Sequence, residues 1–167
     1  MSKNYAMVNG VKIELPDDVD ELTFTRKPVK EEKKSPFTRE KNNEFYFITA
    51  IGEIRSFQER YHDIDDRHFE VANYCTDKAM MEQQALRETL NRLLWRYSAQ
   101  HGGDNEWDRI EIHWFITKDF TINKFRPIST TSLKDFGAVH FCDETTAQSA
   151  IRDVVVPFME EHPDFVW

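Results

Sequence analysis

Cysteine and glycine are scarce in this chain of 167 residues, which contains two Cys and five Gly. So few cysteines exclude a disulfide-stabilised scaffold, and five glycines are too few for a protein built mainly of open loops. We expect Cys75 and Cys142 to be reduced, as in a reducing compartment, and to serve as small buried apolar residues. A disulfide between the two is the alternative.

Long apolar runs are also lacking. No segment approaches the roughly 18 apolar residues of a membrane span, and the N-terminus does not have the basic and then apolar layout of a signal peptide. We therefore expect a cytoplasmic protein with no membrane contact. The sequence has no phosphate-binding loop and no Cys-x-x-Cys pair, so no cofactor is expected.

Negative charge is in excess, with a formal net charge of −8. Residues 1–43 carry nine basic and eight acidic side chains, so the excess lies in residues 44–167. A body this acidic repels phosphate backbones, which disfavours nucleic-acid binding. The plainer interpretation of the charge is solubility.

The longest helical pattern follows Asp77 and ends at Gly102–Gly103. Its apolar residues recur at helical spacing on one face, at Met81, Leu86, Leu90, Leu93, Leu94 and Tyr97. Asp77 is suited to cap the helix, because its carboxylate can accept an unpaired backbone N–H. A helix with such a stripe needs a sheet to cover it, and strand patterns lie on both sides of it in the sequence.

Four segments are predicted in chain order. Residues 1–20 form an N-terminal hairpin with a two-residue turn at Asn9–Gly10. Residues 21–43 form a charged linker that is extended and lightly held or disordered. Residues 44–103 and 104–167 form two α+β modules, each of which contains one helix.

The first module begins with strands at Glu44–Thr49 and Glu53–Phe57, joined by a turn. The polar stretch Tyr61–His68 is predicted to be irregular. A third strand at Phe69–Cys75 then leads into the long helix.

The second module has the same order of elements. Trp107–Thr117 alternates between apolar and polar residues, which predicts a half-buried strand. Phe120–Ile128 is a second strand, and Pro127 places it at a sheet edge. Gly137–Cys142 is a third strand.

The last part of the second module is helical. Asp143 is predicted to cap a helix with a small-residue and apolar buried side. Pro157 has no N–H to donate, so the helix kinks or restarts there. We expect the apolar tail Phe165–Trp167 to pack on the body.

The two modules share short sequence similarities. Tyr46–Thr49 is similar to Trp114–Thr117, and Cys75–Asp77 is similar to Phe141–Asp143. The predicted fold is therefore α+β, with two similar antiparallel strand–strand–strand–helix modules that share a core. An accidental likeness between two ordinary α+β segments is the alternative.

Several of these segments resemble small uncharacterised proteins of bacteriophages, prophages and other mobile elements. The similar parts are the aromatic strand and glycine turn of Glu44–Ile54, the polar Asp63–Arg67, the helix entry Ala72–Asp77, and the closing strand and helix of Gly137–Ile151. The chain departs from the pattern at Ala72, where glycine is expected, and at Cys75, where phenylalanine is expected. The resemblance implies a small accessory protein that binds a host protein, including CRISPR nucleases and other defence proteins, and it implies no catalytic residues.

One group of residues could hold a metal ion. In a strand, His62, Asp66 and His68 would point to one side, and two imidazoles with a carboxylate can bind a divalent metal in a small metal-dependent enzyme. A solvated loop, with Asp66 and Arg67 as a local ion pair, explains the same residues.

Two histidines in the second module have acidic neighbours in the sequence. His113 and His140, with Asp135 or Glu144, could supply a general base. The alternative is that both are ordinary strand residues beside aromatic side chains.

Basic and aromatic residues offer a second alternative function, a nucleic-acid-binding module. The candidate basic cluster is Lys118, Lys124, Arg126 and Lys134. The candidate stacking residues are Phe45, Phe47, Trp107, Trp114 and Phe115. An aromatic core explains the same rings.

The resemblance implies a non-enzymatic phage or mobile-element protein that binds and modulates a host protein, as an anti-CRISPR inhibitor does. It would present an acidic surface or a sheet edge, and its edge strands also favour self-association. The candidate acidic residues, which could compete with phosphates on a DNA-binding target, are Glu82, Glu88, Glu144, Asp153, Glu160 and Glu161.

Overall fold

The structure is a computed structural model that describes residues 5–8, 11–14, 34–103, 111–131 and 137–167. The chain divides into two compact units, Met1–Lys33 and Lys34–Trp167. In the first unit, strand β1 (Tyr5–Val8) pairs antiparallel with β2 (Val11–Glu14), which confirms the N-terminal hairpin. Its predicted turn at Asn9–Gly10, and residues 15–33 of the predicted linker, lie outside the described residues.

The second unit begins at Lys34, ten residues or so before the predicted module boundary. The end of the predicted linker is therefore part of the folded body. Thr76 donates both its backbone N–H and its hydroxyl to the carbonyl oxygen of Pro36, at 2.8 and 3.0 Å. These bonds hold the segment before the first strand of this unit.

That first strand is β3 (Glu44–Ile48), which pairs antiparallel with β4 (Ile54–Gln58) as predicted. Gly52 has a φ of +87° in the turn between them, a conformation that glycine adopts without steric cost. One face of this two-stranded sheet contributes Ile48 to a core cluster with the long helix.

The segment predicted to be irregular is a helix, α1 (Asp63–Glu70). His62 precedes it as the N-cap, and the carboxylate of Asp65 accepts the His62 N–H at 3.1 Å. Acidic residues in the first turn and basic residues in the last turn match the helix dipole. This order of acidic residues followed by basic residues is a sequence signal for a helix. The prediction missed it because the segment has few apolar residues at helical spacing.

The predicted strand Phe69–Cys75 is also wrong. Helix α1 continues to Glu70, a turn follows, and Cys75 makes only an isolated antiparallel bridge with Tyr46. The first module therefore has the end of a helix, a turn and a single bridge where its third strand was expected.

Helix α2 (Lys78–Gln100) confirms the long helix predicted after Asp77. Asp77 caps it by accepting the Met80 N–H at 3.1 Å. Near its start, Met81 and Ala85 pack in the cluster that contains Ile48 and Cys75. Near its end, Leu90 and Leu94 belong to a second and larger cluster.

The second sheet has the order β6–β5–β7 and is antiparallel. Its strands are β5 (His113–Asp119), β6 (Lys124–Thr130) and β7 (His140–Phe141). Pro127 lies in the edge strand β6, as predicted, opposite Ile116. The predicted start of the first strand, at Trp107, lies outside the described residues.

The C-terminal region contains α3 (Glu144–Ala150), a π-helical segment (Ile151–Val155) and α4 (Val156–Glu161). Asp143 caps α3 by accepting the Thr146 N–H at 2.7 Å, as predicted. The widened π turns lie just before Pro157, where a proline ring would collide with the carbonyl four residues earlier in a regular α-helix. The predicted kink is therefore a π segment.

The apolar tail packs on the body, as predicted. Phe165 is buried in the cluster of Leu90 and Leu94, and Trp167 contacts that cluster. The amide of Gln83 in α2 holds the tail in place: it accepts the Val166 N–H at 2.8 Å and donates to the Asp164 carbonyl at 2.9 Å.

The architecture is α+β with small antiparallel sheets, but the two predicted modules are not confirmed as repeats. The first sheet of the body has two strands and is followed by α1, whereas the second sheet has three strands. Cys75 is buried, as expected, but Cys142 is exposed, and both thiols are free. No helix in the described ranges combines the length and apolarity needed to cross a membrane.

Ala72 has a left-handed backbone with a φ of +57°, in the turn between α1 and α2. A side chain in this region costs about 1 kcal/mol, so Ala72→Gly should raise the free energy of unfolding by about 0.5–1 kcal/mol in urea denaturation. Ala79→Gly in the exposed first turn of α2 is the matched control and should lower it by about 1 kcal/mol. Equal destabilisation by both variants would contradict the assignment of strain to Ala72.

Candidate interaction surface

The six predicted acidic residues are spread over α2, α3, the π-helical segment and α4. Glu82 pairs with Lys78 at 3.2 Å and Glu88 pairs with Arg92 at 3.3 Å, both within α2. Glu144 lies in the first turn of α3, whereas Glu160 and Glu161 lie at the end of α4. The structure brings two of them together, because Glu82 and Glu161 line one cleft of about 420 Å³.

The sixth acidic residue, Asp153, is held by close neighbours. Its carboxylate accepts a hydrogen bond from Arg152 at 2.7 Å and another from the Tyr97 hydroxyl at 3.0 Å. Arg152 is the main reason that the pKa of Asp153 is lowered. The candidate acidic surface is thus partly neutralised by its own basic neighbours.

Three of the four predicted basic residues lie on the β5–β6 hairpin. The ammonium of Lys118 lies 5.6 Å from the ring centre of Phe120 and 5.5 Å from that of Phe125. Lys124 is exposed in β6, and Arg126 forms an ion pair with Asp119 at 3.4 Å. Lys134 lies outside the described residues.

The predicted stacking platform is largely interior. Phe45 and Phe47 are buried and pack with Tyr74 in a small aromatic cluster, so these rings cannot receive bases. Trp114 packs against the larger core cluster. Phe115 contacts the ring of His140, and Trp107 is not among the described residues.

The helix does not bring the three predicted metal ligands together at one site. His62 is the N-cap of α1, Asp66 forms an ion pair with Arg39 at 2.7 Å, and the ring of His68 lies 4.3 Å from that of Phe47. Across the part of the chain that is described, no three His, Cys, Asp or Glu side chains are close enough to hold a metal ion.

The two candidate general bases are buried on the second sheet. His113 lies in β5 and His140 in β7, where its ring meets that of Phe115. Their predicted partner Asp135 lies outside the described ranges. Burial of both imidazoles in the sheet supports the interpretation as strand residues.

A buried charged cluster follows β4, and the sequence analysis did not find it. Glu59 has no exposed surface, and its carboxylate accepts two hydrogen bonds from Arg39, both of 2.8 Å. It also accepts the backbone N–H of Tyr61 at 2.8 Å. These bonds, led by those from Arg39, lower the pKa of Glu59.

Neighbouring groups complete this cluster. Arg39 also pairs with Asp66 of α1, and its guanidinium lies 5.1 Å from the ring centre of Tyr61 and 5.3 Å from that of Phe69. Burial, and then the negative charge of Glu59, raise the pKa of Tyr74 to about 12. Both oxygens of Glu59 are occupied and shielded, so the cluster is structural: it ties residues 34–43, the end of β4 and α1 together.

The outer edge of β3 is closed. Tyr46 exchanges two backbone hydrogen bonds with Cys75, of 2.7 and 3.1 Å. The side chain of Asn73 imitates a strand backbone: its oxygen accepts the Ile48 N–H at 2.7 Å and its amide group donates to the Ile48 carbonyl at 2.8 Å. The outward backbone groups of Tyr46 and Ile48 are therefore already paired.

The outer edge of β4 is open. Inward-facing groups flank the strand, since the Glu53 carbonyl accepts from Thr49 and the Glu59 N–H donates to Asn43. Because backbone groups alternate in direction along a strand, the N–H and C=O groups of Ile54, Ser56 and Gln58 face outward. Among the described residues from Lys34 onward, none pairs with this edge, since the sheet contains only β3 and β4.

Both outer strands of the second sheet carry features that oppose the addition of a further strand. Edge strand β6 contains Pro127, which offers no N–H, and two exposed cations, Lys124 and Arg126. On the other side, the His140 carbonyl of β7 accepts the hydroxyl of Ser98 from α2 at 2.7 Å. β4 has no proline, its single exposed cation is Arg55, and its Phe57 side chain is 45% exposed. The β4 edge, defined as Ile54–Gln58, is therefore the candidate interaction surface.

A groove of about 860 Å³ lies between the end of β3, the turn after α1 and the first half of α2. Ile48, Cys75 and Met81 contribute to its lining, together with the exposed side chains of Phe37 and Val71. These apolar residues are continuous with the core, and no feature of the groove selects an occupant.

Comparisons of the chain with protein-family models, with curated protein sequences and with solved structures return no significant match. The resemblance to phage accessory proteins thus stays a prediction. The geometry of the chain carries the functional argument.

The Glu59 cluster makes stability depend on pH. Glu59→Gln should lower the free energy of unfolding at pH 7 by about 3 kcal/mol, because the amide group would face the guanidinium of Arg39 in the interior. The folded-state pKa of Glu59 lies below its ordinary value of 4.5, so the stabilisation is complete above pH 4.5 and is lost as the pH falls through the lower, folded-state pKa. Urea denaturation from pH 7 to pH 3 measures both effects.

The matched control is Glu53→Gln. Glu53 forms an exposed ion pair with Arg55, at 3.3 Å. Its loss should cost less than about 0.5 kcal/mol at any pH. If both variants showed the same small effect, the cluster would not be the anchor described.

Proposed function

We propose that the protein is a non-enzymatic binding protein that pairs its β4 edge with an extended segment of a partner protein. The observation that carries this proposal is the set of outward-facing N–H and C=O groups at Ile54, Ser56 and Gln58, which no strand pairs among the described residues from Lys34 onward. An extended peptide that adds to such an edge gains main-chain hydrogen bonds, and alternate side chains supply specificity.

The side chains beside the edge would select the partner. On the face that carries Phe45 and Phe47, Phe57 and Arg55 are exposed. The half-exposed ring of Phe57 offers an apolar contact at the edge, next to the ring of Phe47 at 5.0 Å. A partner strand with an apolar residue opposite Phe57 fits this face.

The cleft at the start of β4 adds an electrostatic preference. It is lined by Ile54, Glu82 and Glu161, so two of the predicted acidic residues lie next to the edge. A basic residue in the partner segment would be attracted to this cleft. The acidic candidates Glu82 and Glu161 are therefore the ones we assign to partner binding.

The resemblance to phage accessory proteins supports a host protein as the partner, with a defence nuclease as one class of target. The net charge of −8 supports a target that normally binds DNA. Such a role would place the protein in the cytoplasm of the host cell.

Ser56→Pro tests the proposal. Proline removes the outward N–H of Ser56 and is tolerated on an edge strand where that N–H faces solvent. Immobilised wild-type protein is incubated with nuclease-treated bacterial lysate, and retained proteins are identified by mass spectrometry. We expect a protein that the wild type retains stoichiometrically to bind the Ser56→Pro variant at least about tenfold more weakly, since one hydrogen-bonded site is lost and its partner carbonyl is left unpaired.

Ser129→Pro is the matched control. Ser129 is exposed on β6, two residues from Pro127, and should share its outward direction. This variant should retain the partner. Equal retention by Ser56→Pro would contradict binding at the β4 edge, and retention that requires intact nucleic acid would favour the Lys118, Lys124 and Arg126 alternative.

A further inference from the structure

The β4 edge is also complementary to itself. We propose that, without a target, this edge pairs antiparallel with the same edge of a second copy of the chain, about a two-fold axis at Ser56. This inference rests on the proposed function only in that the edge accepts a strand, and the strand that it adds is β4 of a second copy. Self-pairing would close the edge until a target displaces the second copy.

The spacing of the outward-facing groups selects the register. In an antiparallel pair, outward-facing residues must lie opposite outward-facing residues, so registers that place Ile54, Ser56 or Gln58 opposite an inward-facing residue are excluded. A two-fold axis at Ser56 sets Ser56 opposite its own copy and Ile54 opposite Gln58 of the second copy. All three residues then pair, which gives about six backbone hydrogen bonds. An axis at Arg55 or at Phe57 would pair only two of these three outward-facing residues.

The side chains favour the same register. An axis at Ser56 places Arg55 directly opposite Phe57 of the second copy, on the same face and twice over. A guanidinium beside an aromatic ring is a favourable contact. An axis at Arg55 would instead place two guanidinium groups opposite each other, which is destabilising.

The charge of the edge also permits a second copy. Each chain has a net charge of −8, which opposes association. Within the edge region, however, Arg55 is balanced by Glu53 at 3.3 Å. The pairing strands therefore meet without net charge of their own.

Most side chains along the β4 edge are exposed in the described structure. The side chains of Arg55, Ser56, Phe57 and Gln58 are exposed. Helix α2 covers the face of Ile48 and Ile54 and would lie on the same face in both copies. The product is a four-stranded sheet in the order β3–β4–β4–β3, and the closed β3 edges end it there.

Cysteine cross-linking tests the register. In a Cys142→Ser background, which removes the exposed native thiol, Ser56→Cys places two sulfur-bearing residues opposite each other with Cα atoms about 5.5 Å apart. That separation lies within the range of a disulfide. Arg55→Cys is the matched control, because its two copies would be about 8 Å apart, which is too far.

We expect mild oxidation to link the Ser56→Cys variant into covalent dimers at least tenfold faster than the Arg55→Cys variant. Light scattering across a concentration series should show the reduced, unmutated protein passing from monomer to dimer. Ser56→Pro should weaken this dimer at least tenfold, whereas Ser129→Pro should leave it unchanged.

The outcomes separate this inference from the proposed function. A protein that stays monomeric at every concentration overturns self-pairing, and faster cross-linking through Arg55→Cys overturns the proposed axis at Ser56. In either case, loss of a lysate partner in Ser56→Pro would still support target binding at the edge. Cross-linking through Ser56→Cys without any lysate partner sensitive to Ser56→Pro would support self-pairing and overturn target binding.

Discussion

A single buried carboxylate, that of Glu59, connects three parts of the body that are distant in sequence. It follows β4 directly, receives the guanidinium of Arg39 from the segment before β3, and through Arg39 is linked to Asp66 in α1. A carboxylate with no exposed surface is tolerated only because these donors satisfy it. The position of β4 is therefore set by an electrostatic anchor at its end.

The open edge depends on that anchor. A strand that is unpaired on one side would fray if its end were free, but Glu59 exchanges backbone hydrogen bonds with Asn42 and Asn43 and holds its side chain in the interior. β4 can therefore keep its outward N–H and C=O groups ordered without a strand on its outer side. An edge strand that is already ordered favours strand addition, because less conformational entropy is lost when the partner binds.

Local patterns predicted the elements, and long-range contacts decided what they became. Asp77 and Asp143 were found as helix caps because capping needs only a residue type and its position. Helix α1 was missed because its polar residues hid the charge order of its two ends. The pair of Arg39 and Glu59 was missed because no local pattern marks a contact over 20 residues, and the open edge of β4 is visible only once Asn73 is seen closing the other side of the sheet.

Helix α2 has a consequence for how the body unfolds. Its first half supplies Met81 and Ala85 to the core beneath β3, and its second half supplies Leu90 and Leu94 to the core beneath the second sheet. If either core lost its packing while the helix stayed intact, apolar residues on that helix would be exposed to water. The two sheets are thus thermodynamically coupled through helix α2. The unit from Lys34 onward should therefore unfold in one cooperative transition, with uniform amide-exchange protection along α2.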